Sequence, residues 1–268
     1  MPVNEGKYMS IAYGDGALNK EIPTELARLH RLEELFDPIS RQAIEHVLPP
    51  PDACCWDVGA GAGSIARHLT RRLPRARITA TDIDTRFLRD LEPRVRVLEH
   101  DVTQDMPPTG PFDLIHIRMV LEHLPDRDRV VRRLIEWLKP GGSLVVVGVD
   151  LSQTGTSPHH ALHTSTRAIA HFLATQLGTD ATFTRALPPM LARAGMTDIG
   201  ASFHPLTAGD AGAGSAFYLA LLEQLSGPLL AGGALDAEQI EAARRWFGEP
   251  GNVDIVGVAP AVWGRRPH

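Results

Sequence analysis

The chain has 268 residues, 43% of them hydrophobic, and a formal net charge of −5 at pH 7. That length is long for one domain and short for two, so we expect one α/β domain with extensions. The acidic balance argues against a nucleic-acid substrate, because binding a phosphate backbone needs a basic face.

Two further features of the sequence bear on the cellular location of the protein. The sequence has no run of 18 apolar residues and no basic-then-apolar N-terminal signal. Its only cysteines are the neighbours Cys54 and Cys55, which point to opposite faces of a predicted strand and cannot form an ordinary disulfide with each other. We therefore expect a soluble, cytoplasmic protein with no membrane partner.

Residues 1–50 are predicted to form an arm and helices that cover the functional site. Residues 1–20 show no period and carry Tyr8 and Tyr13, two of the three tyrosines of the chain. These tyrosine rings either close over the site or anchor the arm to the protein surface, and the sequence supports both interpretations. Apolar spacing then predicts two helices that are separated at Asp37-Pro38, where a cap is followed by a first-turn proline.

The stretch from Cys54 to Asp84 has the pattern of a strand, a glycine loop, a helix and a second strand. Gly59, Gly61 and Gly63 stand at alternate positions of the loop, and glycine permits positive φ and a close backbone approach to a ligand. Asp82 ends the second strand about 20 residues further on, where a carboxylate can accept hydrogen bonds from ribose hydroxyls. The stretch therefore predicts half of a nucleotide-binding unit.

The glycine loop differs from the dinucleotide fingerprint G-x-G-x-x-G, since Ser64 stands where the third glycine would open the helix. Its pattern, D-V-G-A-G-A-G, resembles the first motif of the class I S-adenosylmethionine-dependent methyltransferases, in which this loop wraps the amino-acid end of the cofactor. The resemblance implies S-adenosyl-L-methionine as the cofactor; a nicotinamide or flavin site is the alternative. The residues of this stretch that it implies as cofactor contacts are Asp57, Gly59, Ala60, Gly61, Gly63, Asp82 and Ile83.

The ends of the third and fourth predicted strands extend the resemblance. At the position of Asp101 and Val102 the family has an acidic residue that accepts from the adenine amino group and an apolar residue that packs on the ring; a solvent-facing turn is the alternative for Asp101. Ile117 and Arg118 correspond to residues beside the methionyl part of the cofactor. Arg118 is expected to pair with the cofactor carboxylate, with an acidic substrate or with a structural partner.

The segment after the fourth strand supplies the catalytic candidates. The run FDLIHIRMVLEHLPD resembles the corresponding family segment and implies that Glu122 and His123 lie near the sulfonium and face the acceptor. His123 is the candidate general base, because an unperturbed imidazole titrates near neutral pH. A packing or capping role for this histidine is the alternative.

Residues 151–195 are predicted to form a cap or lid inserted after the fifth strand. A helix beginning at Ser157-Pro158 carries His159 and His163 on one face. Because it follows the carboxyl end of a strand, where ligands bind in open α/β sheets, we expect it to cover the acceptor pocket. A plain surface helix is the alternative, and no metal is assigned, since no further ligand pattern accompanies the two histidines.

The alternation of strands and helices predicts a doubly wound α/β sheet, with residues 51–268 as the catalytic domain. The resemblance implies a Rossmann-like, mostly parallel sheet of seven strands with the last strand antiparallel. It also implies methyl transfer to an O, N or C nucleophile of a small molecule, by analogy one of secondary metabolism. The alternative is an enzyme of the same fold that uses the bound cofactor for a cyclisation or rearrangement. We expect a monomer or homodimer.

Overall fold

A computed structural model describes residues 18–209 and 212–268. Tyr8 and Tyr13 lie outside the described residues, so their part in closing the site stays a prediction. The strands are β1 (Cys54–Val58), β2 (Arg77–Asp82), β3 (Val95–Glu99), β4 (Phe112–Arg118), β5 (Leu138–Val147), β6 (Thr197–Gly209) and β7 (Val253–Arg265). The helices are α1 (Glu25–Val47), α2 (Ser64–Arg72), α3 (Arg127–Glu136), α4 (His160–Gln176), α5 (Phe183–Arg193), α6 (Ala213–Ala231) and α7 (Ala237–Gly248).

The strands form one sheet in the order β3-β2-β1-β4-β5-β7-β6. Strands β1 to β5 are parallel, and β7 runs antiparallel to both β5 and β6. The chain builds outward from β1 to β3 and then crosses to β4, so the strand order reverses between β1 and β4. Ligands of open α/β sheets bind outside the carboxyl ends of the strands at such a reversal. The predicted fold class is confirmed.

Strand β1 is buried on both faces, as its apolar sequence predicts. Its side chains alternate between two apolar layers: Cys55 packs with α1 and α2 residues such as Ile44 and Leu69, whereas Trp56 packs with β4 and α3 residues such as Ile115. Full burial of such side chains contributes about 1.5–3 kcal/mol each. Both cysteines are free and buried, and they lie in different layers.

Helix α1 is continuous, whereas the sequence predicts two helices separated at Asp37-Pro38. Pro38 lies inside the helix and removes one backbone donor. Phe36 and Ile39, on either side of it, are both buried in the core, and the Asp37 side chain is tied to Arg118. Packing therefore outweighs the local signal to end the helix. The division between residues 50 and 51 falls in the connection from α1 to β1 and stays a prediction.

Helix α4 carries the two histidines of the predicted lid or stands directly beside them: His163 lies in it and His159 precedes it. It packs against α6 and α7, and the His159 ring lies 5.4 Å from the Trp246 ring of α7. His163 makes its contact within its own helix, 3.5 Å from Arg167. Helix α4 thus has packing partners in α6 and α7, and its part as a lid over the acceptor pocket stays a prediction. No helix of the described residues is long and apolar enough to span a membrane.

Candidate functional site

A cleft opens at the carboxyl ends of β1, β2, β3 and β4. It contains about 1100 Å³ of empty space, including its mouth. The glycine loop after β1 forms its floor, and α1 with the short segment Leu18–Lys20 forms one wall. The cleft therefore lies at the reversal of strand order, where the sequence analysis places the site.

The glycine loop needs glycine for steric reasons. Gly59, Gly61 and Gly63 have φ of +63°, +62° and +87°, a region that other residues enter only with strain. A Cβ on Gly59 would lie 2.3 Å from Cγ2 of Val120, which follows β4. The loop is held against β2 by a hydrogen bond from the Ala60 amide to a β2 carbonyl oxygen, 2.9 Å away. Its backbone is thus fixed close to the cleft.

Asp82 presents its carboxylate to the cleft beside the glycine loop. Oδ2 accepts a 2.9 Å hydrogen bond from the Gly61 amide, and Oδ1 accepts from the Asp84 amide at 3.2 Å. The Lys20 ammonium lies 3.0 Å from Oδ1 and also donates to the Asp84 carbonyl oxygen. The sequence gives no signal for Lys20, because the segment before α1 shows no period. A ribose bound here must share Asp82 with Lys20 or displace it.

Asp101 and Val102 line the cleft at the end of β3. Burial raises the pKa of the Asp101 carboxyl, but hydrogen bonds from Thr103 and Gln104 outweigh it and hold that pKa below its ordinary value. The turn is also fixed from behind by Arg133 of α3, which donates to the carbonyl oxygens of Val102 at 3.1 Å and Thr103 at 2.5 Å. This turn therefore offers a fixed anion and an apolar side chain to the cleft.

Arg118 lines the cleft but already has protein partners. Its guanidinium donates to Asp37 at 2.7 Å and to the Ser64 hydroxyl at 3.2 Å. Burial raises the pKa of the Asp37 carboxyl, and the charge and hydrogen bond of Arg118 more than offset it, so the net pKa is lowered. Since only some of its N–H groups are used, Arg118 still has donors for a carboxylate.

Three residues predicted as cofactor contacts lie behind the cleft wall. Asp57 is buried and bound to His116 at 2.8 Å, and Ile117 is fully buried in the apolar layer below β4. Gly63 precedes α2 and is not among the residues that line the cleft; a Cβ there would lie 3.0 Å from a Leu91 side-chain carbon. In contrast, Gly59, Ala60, Gly61, Asp82 and Ile83 of that predicted set do line the cleft.

Glu122 does not face the acceptor side of the cleft, contrary to the sequence analysis. Leu121–His123 forms a single 3-10 turn instead of the first turn of a helix, and this turns Glu122 into the core beside Gly148 and Thr184. Its side chain is 1% exposed, and Oε1 has no hydrogen-bond partner within the described chain. Burial raises the pKa of the Glu122 carboxyl to about 7.

This buried carboxyl predicts a pH-dependent stability. The unfolded chain loses the Glu122 proton near pH 4.5, whereas the folded chain keeps it to about pH 7. Stability is therefore lost as pH rises between these values, at ~1.4 kcal/mol per pH unit, or about 3 kcal/mol in all. We expect Glu122→Gln to raise the melting temperature at pH 8.5, with a much smaller effect at pH 4.5.

The exposed Glu99 gives the matched control, because Glu99→Gln removes a carboxylate of the same type from the surface. Its melting temperature should follow that of the parent chain at both pH values. If Glu122→Gln also melted with the parent at pH 8.5, the buried carboxyl would not carry the assigned cost.

His123 lines the cleft, with Nδ1 2.9 Å from the Thr179 hydroxyl oxygen. Burial, and then the charges of Arg28 and Arg127, lower the pKa of its imidazole to about 3. The ring is therefore neutral at ordinary pH and holds a proton only weakly. General-base efficiency requires a pKa near the working pH, so the structure argues against His123 as a strong base.

The charges of the cleft indicate which cofactor it fits. The only cationic Lys or Arg side chains on its described wall, Lys20 and Arg118, are each paired with a carboxylate. A dinucleotide pyrophosphate would meet an excess of negative charge here, whereas a nucleoside with cationic groups is favoured. The acidic residues that line the cleft are Glu25, Glu33, Asp82, Asp84 and Asp101.

Helix α1 also contributes to the cleft, at positions that are not among the predicted site residues. Leu29 and Glu33 lie one turn apart on this helix and both face the cleft. The sequence does contain one signal for this: Glu33 stands four positions after Leu29, so the two share one face of the helix. Among the described residues, no group of three or more His, Cys, Asp or Glu side chains is arranged to hold a metal ion.

Comparisons with known proteins agree with this geometry. Residues 56–144 match the family model described as a methyltransferase domain. Methyltransferase str3 of Strobilurus tenacellus is 34% identical over 134 residues, and trans-aconitate 2-methyltransferase of Deinococcus radiodurans is 33% identical over 132 residues; each match covers 48% of both chains. The chain thus spans about half the length of these curated relatives.

A solved structure extends the likeness to the whole fold. Phosphoethanolamine N-methyltransferase 2 of Haemonchus contortus, solved with phosphomonomethylethanolamine and S-adenosylhomocysteine, superposes with a TM-score of 0.62. It covers 96% of this chain and 61% of its own, and at 14% identity the likeness shows the fold alone. The family model thus identifies residues 56–144 as a methyltransferase domain, and the described chain has the fold of a methyltransferase that was solved with S-adenosylhomocysteine.

Proposed function

We propose that the chain binds S-adenosyl-L-methionine in this cleft and transfers its methyl group to a nucleophile of a small molecule, leaving S-adenosylhomocysteine. The observation that carries the proposal is the Asp82 carboxylate, which is held by the Gly61 amide at the end of β2 in an acid-rich cleft. That arrangement suits ribose hydroxyls and a cationic sulfur, and it disfavours a pyrophosphate.

The cleft residues divide between the parts of the cofactor. Asp82 and Ile83 would hold the ribose, and Asp101 and Val102 the adenine. Gly59 to Gly61 and Arg118 would receive the amino-acid end. When bound, the cofactor supplies a methyl group that a sulfonium activates for displacement by an O, N or C nucleophile.

The protein's own contribution is mainly positioning and exclusion of water. Leu29, Leu32, Met119, Val120 and Leu124 give the cleft apolar walls beside the end of β4. Such walls remove water from the reacting atoms, and holding two reactants in line supplies much of the barrier reduction in a displacement. Methyl transfer from a sulfonium needs little acid–base assistance, which is consistent with the weakly basic His123 and the inward-facing Glu122.

A neutral His123 predicts a definite pH response. Because its pKa is about 3, we expect His123→Ala to keep the shape of the rate profile between pH 6 and 9. The loss of rate should be less than about 10²-fold, the lower limit for a working general base. The exposed His171 supplies the control, His171→Ala. If the pH dependence of the rate near neutral pH disappeared in His123→Ala and persisted in His171→Ala, His123 would be a general base.

A small-molecule acceptor is supported by the acidic balance of the chain and by the trans-aconitate 2-methyltransferase among its relatives. Assignment to secondary metabolism is part of the proposal and rests on family analogy. The cytoplasmic setting is likewise proposed, on the two buried cysteines that remain free thiols.

The function is tested by incubating the protein with methyl-labelled S-adenosylmethionine and a panel of small hydroxyl, amine and carboxylate compounds. Label should move to one acceptor, with one S-adenosylhomocysteine formed for each methyl transferred. Consumption of a compound without S-adenosylhomocysteine would favour the cyclisation or rearrangement alternative. Methylation of nucleic acid instead would overturn the acceptor class.

A further inference from the structure

A second carboxylate, Glu33, contacts the segment of the glycine loop that leads into α2. Glu33 lies on α1 and lines the cleft, and its Oε1 accepts a 3.0 Å hydrogen bond from the Ser64 amide, at the point where the loop enters α2. Asp82 accepts from the Gly61 amide in the middle of the loop. The loop that faces the cofactor is therefore contacted by two carboxylates, and only Asp82 has a place in the proposed function.

Among the described residues, the ion pair of the Glu33 carboxylate is a long one. The Glu33 side chain is 12% exposed, and the nearest guanidinium, that of Arg67, is 4.0 Å away and also donates to the Ala62 carbonyl oxygen. Burial raises the pKa of the Glu33 carboxyl more than the Ser64 hydrogen bond and the Arg118 charge lower it. A buried carboxylate of this kind is stabilised by a cation brought to it.

Arg118 lies beside Glu33 at the same point of the loop. Glu33 contacts the Ser64 amide, and Arg118 donates to the Ser64 hydroxyl oxygen at 3.2 Å. Ser64 thus contacts both the Glu33 carboxylate and the Arg118 guanidinium, and these two charged side chains line the cleft. Such a pair is complementary to the ammonium and carboxylate of an α-amino acid.

We propose that Glu33 binds the α-ammonium group of the cofactor's amino-acid end, with Arg118 facing the carboxylate of the same end. This inference rests on the proposed function, because it needs S-adenosylmethionine or its product in the cleft. It assigns Glu33 a contact with the ligand beyond its hydrogen bond to the loop. A purely structural Glu33 would only hold Ser64 and the start of α2.

The test compares two ligands by calorimetric titration of the parent chain and Glu33→Gln. S-adenosylhomocysteine carries the amino-acid end, whereas 5′-methylthioadenosine has the same nucleoside and thioether without it. Glutamine keeps an oxygen that can accept from the Ser64 amide. We expect Glu33→Gln to weaken S-adenosylhomocysteine binding about 10- to 150-fold, the value of a charged hydrogen bond, and to leave 5′-methylthioadenosine binding unchanged.

Two controls make the test specific. Glu34→Gln alters the next residue, an exposed glutamate paired with Arg31, and should leave both affinities unchanged. An S-adenosylhomocysteine analogue that lacks only the α-amino group should bind the parent chain and Glu33→Gln equally well, because the ammonium and Glu33 form one interaction.

The outcomes separate this inference from the function on which it rests. Equal losses for both ligands in Glu33→Gln would make Glu33 a structural support of the loop and overturn the inference alone. Unchanged binding of S-adenosylhomocysteine would also overturn it. A parent chain that binds neither ligand would overturn the proposed function and the inference together.

Discussion

Replacing Asp82 with alanine should weaken S-adenosylhomocysteine binding about 10- to 150-fold, since a charged hydrogen-bond acceptor contributes ~1.5–3 kcal/mol. Two effects add in this variant. The ribose loses its hydrogen-bond acceptor. The Gly61 amide loses the carboxylate oxygen, 2.9 Å away, that holds the loop in place. Removal of the carboxylate also leaves the Lys20 ammonium without its counter-charge in the cleft. A cationic sulfonium should then be disfavoured further, so S-adenosylmethionine binding should fall more than S-adenosylhomocysteine binding.

Calorimetry on Asp82→Ala and Asp82→Asn separates the two effects. Asparagine retains an oxygen for the Gly61 amide but no charge for Lys20 or for the cofactor. Asp90→Ala, at an exposed aspartate further along the same connection, is the matched control. Unchanged affinity in Asp82→Ala would remove Asp82 as the ribose partner, and with it the observation on which the proposed function depends.

Replacing Gly59 with alanine should abolish cofactor binding and lower the stability of the fold. The residue has φ of +63°, which costs a residue with a Cβ about 1–2 kcal/mol. The new methyl group would also lie 2.3 Å from Cγ2 of Val120, and relieving such overpacking costs a further ~1–3 kcal/mol. Because Gly59 lines the cleft, any shift that relieves the clash moves the loop that receives the cofactor.

Gly178 provides a control with the same backbone strain and no clash. Its φ is +65°, and a Cβ there would meet nothing within 4 Å. Gly178→Ala should therefore show the conformational cost alone in chemical denaturation and leave cofactor binding intact. Adding Val120→Ala to Gly59→Ala should recover part of the lost stability, since the two side chains interact. Equal unfolding free energies for Gly59→Ala and Gly178→Ala would contradict the steric argument.

Local patterns were sufficient to predict much of the sheet. The apolar residues of β1 and β5 and the alternation of strands with helices are visible in the sequence, because strands buried on both faces must be apolar. The antiparallel direction of β7 is not visible there; it followed from the family resemblance. The continuity of α1 through Pro38 was missed, because it depends on Phe36, Ile39 and the Asp37–Arg118 pair packing against distant parts of the chain.

The site was predictable where one short segment determines it and not where several segments meet. Gly59 and Gly61 follow from the loop pattern, and Asp82 from its distance along the chain. Lys20 and Glu33 reach the loop only through the folding of the N-terminal region, across sequence separations of 41 residues for Lys20 to Gly61 and 31 for Glu33 to Ser64.

The catalytic candidates illustrate the same limit. Glu122 and His123 are candidates because their segment resembles that of the family, and His123 is the candidate base because an unperturbed imidazole titrates near neutral pH. The folded environment changes both: it lowers the pKa of His123 to about 3 and raises that of Glu122 to about 7. Neither burial nor the direction of a side chain in a single 3-10 turn can be derived from the segment alone.

The central claim is that the cleft is built for S-adenosylmethionine and not for a dinucleotide. Calorimetric titration of the purified protein with S-adenosylmethionine, S-adenosylhomocysteine and NAD tests it directly. We predict micromolar binding of the first two and no binding of NAD, because the Lys and Arg cations on the described wall of the cleft are already paired with carboxylates. Binding of NAD alone would contradict the account and make the glycine loop a dinucleotide site.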